Sequence, residues 1–140
     1  MDYAALRARL EEADILGLSD AEILAAVNAR TLPGSVDAVD VKRELLLAGK
    51  WPAIVIAARA NNPAAVNITE ALDSIPSFDL AVERYLAAIT AGLQVLVDVP
   101  LITVDEMAAC LALGQNKRSL ADVWALGPLD LRAIVKARAV

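Results

Sequence analysis

Between Arg84 and Asp98 the chain carries no charge. The run Tyr85–Val97, YLAAITAGLQVLV, is thirteen residues long, and Thr90 and Gln94 are its main polar interruptions. Its internal spacing constrains what it can become. Val82, Leu86, Ile89, Leu93 and Leu96 recur at three- and four-residue steps, the period of an α-helix. A membrane span needs about 20 predominantly apolar residues, and this run stops at Asp98 and Pro100. It is therefore read as a helix over about residues 79–97. A helix apolar on every side is buried on every side. The expected fold is all-α, a compact bundle of about seven to eight short helices around this buried central one. Gly92 inside it costs about 1 kcal/mol relative to alanine and would let a neighbouring helix approach closely.

The flanking sequence punctuates helices rather than strands. Asp2–Leu16 carries Leu6, Leu10 and Ala13 at helical spacing, and Gly17 can end it. Three stretches have the form of a capping box: Ser19–Glu22, Thr103–Glu106 and the Ser119–Asp122 variant. Further helices are expected at about 20–30, 38–48, 52–60, 63–73, 103–113, 119–126 and 128–139. Thr31–Ser35 (TLPGS) and Ser74–Ser77 (SIPS) are the clearest breaks. Short apolar runs such as WPAIVIAA and LQVLVDVP could be strands, but alanine content and proline placement favour helices. No low-complexity linker or fixed-period repeat divides the chain. Residues 1–140 are expected to form one domain with one core.

Composition narrows the chemistry. Hydrophobic residues make up 58% and the mean hydropathy is +0.53, above the usual range of about 45–50% apolar. The chain therefore has apolar surface to spare for a partner. It has no histidine and a single cysteine, Cys110, set in MAACLAL. The commonest general base, the commonest metal ligand and any internal disulfide are thus missing. The six glycines are scattered, with no Gly-rich loop before a helix. The adjacent acids Glu11 and Glu12 point in different directions on a helix, and Asp105 and Glu106 suit a first helical turn. No catalytic, cofactor-binding or metal-binding residue is expected, no cofactor, and no enzyme activity. Met1-Asp2-Tyr3 lacks the basic start of a secretory signal.

The charge is −5 overall but unevenly placed. Residues 1–40 hold eight acids and three bases, whereas five bases face two acids from Lys117 onward. Opposite ends of two copies could meet head to tail, as heterologous ring contacts do; ordinary solvated helix faces explain the same pattern. The polar stretch LALGQNKRS, Leu111–Ser119, sits where a helix-turn-helix over residues 103–126 would turn. The following helix offers Asp122 and no Arg, Lys, Asn or Gln to read bases. Nucleic-acid binding is accordingly not expected of an acidic chain. The candidate partner contacts are Trp51, Lys117, Arg118, Trp124, Arg132 and Lys136. Tryptophans beside helix breaks either cover a core edge or anchor an interface.

Two stretches carry a resemblance: LSDAEILAAVNARTLP, Leu18–Pro33, and LALGQNKRSLADVWALGPLDLRAIVKARA, Leu111–Ala139. With Ala26 and Asn28 in the first, and Gly114, Ser119, Ala121, Gly127, Ala137 and Arg138 in the second, the chain resembles small Ala/Leu-rich helical proteins encoded among the virion-structure genes of tailed bacteriophages. The resemblance implies a non-enzymatic neck or tail component, made in a bacterial host cytoplasm and ending in the virion. Its implied partners are other virion proteins or copies of itself. The alternative is a small cytoplasmic adaptor or DNA-linked regulator using the segment 103–126.

Overall fold

The computed structural model describes all residues, 1–140. In chain order the elements are α1 (Tyr3–Glu12), α2 (Asp20–Asn28), β1 (Ser35–Asp37), α3 (Ala38–Leu47), α4 (Trp51–Arg59), α5 (Pro63–Ser74), β2 (Ser77–Asp79), α6 (Glu83–Asp98), α7 (Val104–Ala112), α8 (Leu120–Val123) and α9 (Leu131–Ala139). The fold is predominantly all-α, as the sequence indicates. No helix is long and apolar enough to cross a membrane.

Side-chain caps set most of the helix starts. Asp2, Ser19, Asn62, Thr103, Ser119 and Asp130 each accept the backbone N–H three residues on, at 2.8–3.2 Å. Such a bond satisfies one of the N–H groups that a helix start leaves without a partner. At Thr103 and Ser119 the box closes, because the Glu106 and Asp122 carboxylates accept the cap residue's own N–H at 2.8 and 2.9 Å. At Ser19 only the first half of the box forms.

The single core expected over residues 1–140 is instead two. The chain divides into two compact units, one from Met1–Leu32 with Arg118–Val140 and one from Pro33–Lys117. In the first, the terminal unit, α1 and α2 both pack on α9, and α8 packs on α2. Its buried set includes Leu6, Leu10, Ile23, Val27, Ala121 and Ile134. The Asn28 side chain mimics a strand partner there: its amide donates to the Leu129 carbonyl at 2.7 Å and its oxygen accepts the Leu129 N–H at 3.0 Å. The chain leaves this unit at Leu32 and returns at Arg118, and these two residues exchange backbone hydrogen bonds of 3.0 and 3.1 Å.

The second, the middle unit, holds α3–α7 and a small antiparallel ribbon in which Val36 faces Phe78. Both residues are buried. The sequences SVD and SFD alternate polar and apolar residues, but three residues are too few to show the period of a strand against the turn residues around them. Phe78 meets Tyr85 of α6 edge to face, with ring centroids 6.5 Å apart. Gly92 does bring a neighbour close: a Cβ there would lie 3.1 Å from Ile68 Cδ1 on α5. Gly114 is tighter, since a Cβ would lie 2.8 Å from Leu80 Cγ, nearer still to its Cδ1, and 3.3 Å from the Gly34 carbonyl oxygen.

The helix read as central is not buried on all sides. Only Ile89, Leu93 and Leu96 of α6 are buried, against α5, α7 and β2. Leu86 is 38% and Val95 44% exposed, and Ala87, Ala88, Ala91 and Gln94 face solvent. The reason is side-chain size. Apolar burial scales with area, so alanine leaves little to gain from burial and is the best helix former besides. The larger residues take the inner face and the small ones are left outside.

Candidate interaction surface

The six residues singled out from sequence divide between the units: Trp51 and Lys117 belong to the middle one, and Arg118, Trp124, Arg132 and Lys136 to the terminal one. Trp51 opens α4 half-buried on the core of the middle unit, with the Lys42 ammonium 5.8 Å from its ring centroid. Lys42 in turn reaches Asp73 at 2.6 Å. Lys117 lies in the loop after α7, exposed and in no ion pair. Arg118 is half-buried, and its backbone is the one paired with Leu32. Trp124 ends α8 half-buried on the core of the terminal unit, beside a hollow lined by Ala5, Arg9 and Leu126. Arg132 and Lys136 are exposed on α9. Lys136 sits 5.4 Å from the centroid of Tyr3, and Arg132 has no charged partner. Both tryptophans thus serve as core-edge covers in this structure.

The acidic and basic ends meet within one chain. Arg138 binds Asp20 at 2.5 Å, and Arg7 donates to the carbonyls of Arg138 and Val140 at 2.8 and 2.7 Å. The terminal unit then balances seven bases against eight acids, while the middle unit keeps ten acids and six bases. Arg138 is therefore not available to hold an acidic start on a second copy. The loop 114–119 is likewise explained locally. The α8 that follows is four residues long and has no length from which to present a recognition face. Ser119 and Asp122 close its cap, and the hydrogen bonds from Ser119 hold the Asp122 carboxyl below its ordinary 3.8.

Titratable groups elsewhere are occupied in the same way. Burial pushes Glu106 up, but hydrogen bonds from Thr103 and the charge of Lys50, 3.6 Å away, outweigh it and hold the carboxyl below 4.5. Burial pushes the Cys110 thiol up to about 11, with Glu44 and Glu106 adding to the shift. No three His, Cys, Asp or Glu side chains converge as metal ligands would.

The outer face of α6 is one of several exposed apolar surfaces, alongside Val39, Leu46 and Leu47 on α3 and Ile56 on α4. Along the α6 face run Arg84, Ala87, Ala88, Ala91, Val95 and Asp98, all exposed. Between the two end charges the face carries only small or apolar side chains and Gln94. A furrow of about 320 Å³ borders it on the α5 side, lined by Asn67, Ala71, Ala88, Gly92 and Val95. A shallower one borders it on the other side, along Glu83, Leu86, Ala87, Thr90 and Gln94. Sequence reading missed this surface because the lack of charge was taken as burial. The signal was present in side-chain size: Ala87, Ala88 and Ala91 recur on one side, Ile89, Leu93 and Leu96 on the other.

No protein-family model matches the chain, and neither a curated protein nor a solved structure matches it.

Proposed function

We propose that this chain is a non-enzymatic structural or assembly component of a tailed-phage particle, placed in the neck or tail region and working by protein–protein contact in a ring or array. The observation that carries the reading is the outer face of α6, which carries no charge between Arg84 and Asp98. A surface helix of a globular protein carries charged and polar residues on its solvent side; here, between Arg84 and Asp98, that side is Leu86, Ala87, Ala88, Ala91, Gln94 and Val95. The resemblance of Leu18–Pro33 and Leu111–Ala139 to virion-structure proteins supports the particle as the setting. Antibody to the chain, applied to density-gradient fractions of particles from the source culture, is expected to detect it in the particle peak at a fixed ratio to the major capsid protein. Recovery only in particle-free fractions overturns the reading. So do metabolic genes, in place of portal, capsid or tape-measure genes, on both sides of its own.

A further inference from the structure

The α6 face has an arrangement of charge that its own helix does not explain. Arg84 lies in the first turn, next to Glu83, and Asp98 is the last residue; Arg84 and Asp98 are the charges that lie on this face. A helix favours anions at its N-terminus and cations at its C-terminus, so both charges stand at the disfavoured end. Neither has an ion-pair partner within the chain: Arg84 stacks over Tyr85 at 5.0 Å, and Asp98 accepts only the Gln94 amide, at 3.0 Å. The two residues are fourteen positions apart, nearly four helical turns and roughly 21 Å along the axis, so they share one face. Ala91 lies midway between them on that face, flanked by Ala87 and Val95.

We propose that α6 docks on the α6 of a second copy of this chain, antiparallel, about a two-fold axis at Ala91. This inference rests on the protein-contact function proposed above and names a partner for it. In that register Arg84 of each copy faces Asp98 of the other, and Ala87 faces Val95. Both end charges then lie beside the partner's opposite charge and beside the helix terminus that favours them. The small residues at the centre permit an interaxial distance at the short end of the 8–10 Å range, roughly 8 Å. The furrows on either side receive the partner's neighbouring side chains. A parallel pairing would instead put Arg84 against Arg84 and Asp98 against Asp98. The contact is isologous, so it closes at two copies and leaves the rest of each chain for other contacts. One helix per side gives an interface at the low end of the size range, which points to a micromolar dimer.

Sedimentation equilibrium of the full chain, from low micromolar to submillimolar, measures the association. The parent chain is expected to dimerise, more weakly at high salt. Arg84→Asp and Asp98→Arg should each raise Kd by roughly tenfold or more, because each sets like charges together at both ends. Mixing the two variants is the decisive arm: the Arg84→Asp chain and the Asp98→Arg chain should form heterodimers with near-parental Kd. A fault in folding would not be repaired by mixing. Ala91→Glu, at the axis, should abolish the dimer, and circular dichroism checks that each variant keeps its helix content. A parent chain monomeric throughout overturns the inference, as does a dimer indifferent to these substitutions or an absence of heterodimers on mixing. None of those results touches particle association, which the gradient experiment reads separately.

Discussion

Replacing Gly114 by alanine tests the close approach of Leu80 to this glycine. The added Cβ would sit 2.8 Å from Leu80 Cγ and nearer to Cδ1. Leu80 is buried, its N–H is held by the Gly34 carbonyl at 3.1 Å, and the Gly34 N–H is held by the Gly114 carbonyl at 2.9 Å. Neither backbone can slide without losing a hydrogen bond, so the Leu80 side chain must move. Overpacking of this kind costs about 1–3 kcal/mol. The backbone at Gly114 is not left-handed, so alanine recovers about 0.4–1 kcal/mol by restricting the unfolded chain. The mid-range values leave a net loss of about 1.3 kcal/mol, within limits of about 0–2.6. With a urea m-value of about 2 kcal/mol/M, the midpoint falls by about 0.5–1 M. Trp51 is the natural reporter because it packs on the core of the same unit, and Trp124→Phe removes the other tryptophan signal. In a Leu80→Ala background the Gly114→Ala change should cost nothing or stabilise, giving a coupling of about 1 kcal/mol or more. A midpoint unmoved by Gly114→Ala, or costs that simply add in the double variant, would refute the close approach.

Three further outcomes follow from named groups. Glu106 and Asp122 titrate below their ordinary values of 4.5 and 3.8, so the stability they contribute is present above those values and is lost as pH falls through the folded ones. The urea midpoint should therefore drop between about pH 5 and pH 3, and the Glu106→Gln/Asp122→Asn variant should show a smaller drop; an equal drop would assign the acid sensitivity elsewhere. Asn28→Ala should destabilise the terminal unit by about 1–3 kcal/mol, because it strands both backbone groups of buried Leu129; unchanged melting would contradict that pairing. Cys110, with its pKa pushed up to about 11, should resist a thiol reagent at about pH 8 in the native chain and react fully in denaturant, whereas rapid native labelling would show that the site opens.

The caps were the most legible part of the sequence, because each depends on residues three apart. Ser19, Thr103 and Ser119 start helices where their patterns stand, and Asn62-Pro63 does the same for α5. Contacts between distant segments were not legible. Nothing local marks Val36 as the partner of Phe78, or Gly114 as the seat of Leu80. Gly114 reads as an ordinary helix stop, and its second role depends on a leucine thirty-four residues earlier. The division into two cores was hidden for the same reason. It depends on residues 1–32 closing with residues 118–140, a pairing that no window of sequence contains. The charge bias of the two ends was visible, but not where it is satisfied. Asp20 and Arg138 answer each other inside one chain, which takes Arg138 out of a head-to-tail contact.

That removal bears on how copies of this chain could associate. Once the ends are matched internally, net charge offers little to hold two copies together, and the acidic middle unit would repel another like it. Attraction must then come from surface that is uncharged or from charges placed in mirror order. The exposed side of α6 has both properties. α1 turns Arg9 and Glu12 outward, whereas α3 turns out Asp40 and Arg43, which pair with each other at 2.6 Å, together with Val39, Leu46 and Leu47. On α6 the corresponding positions are Ala87, Ala91 and Val95; Arg84 and Asp98 each stand at the end the helix disfavours, while Glu83, beside Arg84, stands at the end that favours an acid. Folding alone does not require that pattern, since larger residues already fill the inner face. An antiparallel neighbour would use it, because there Arg84 and Asp98 would each meet an opposite charge.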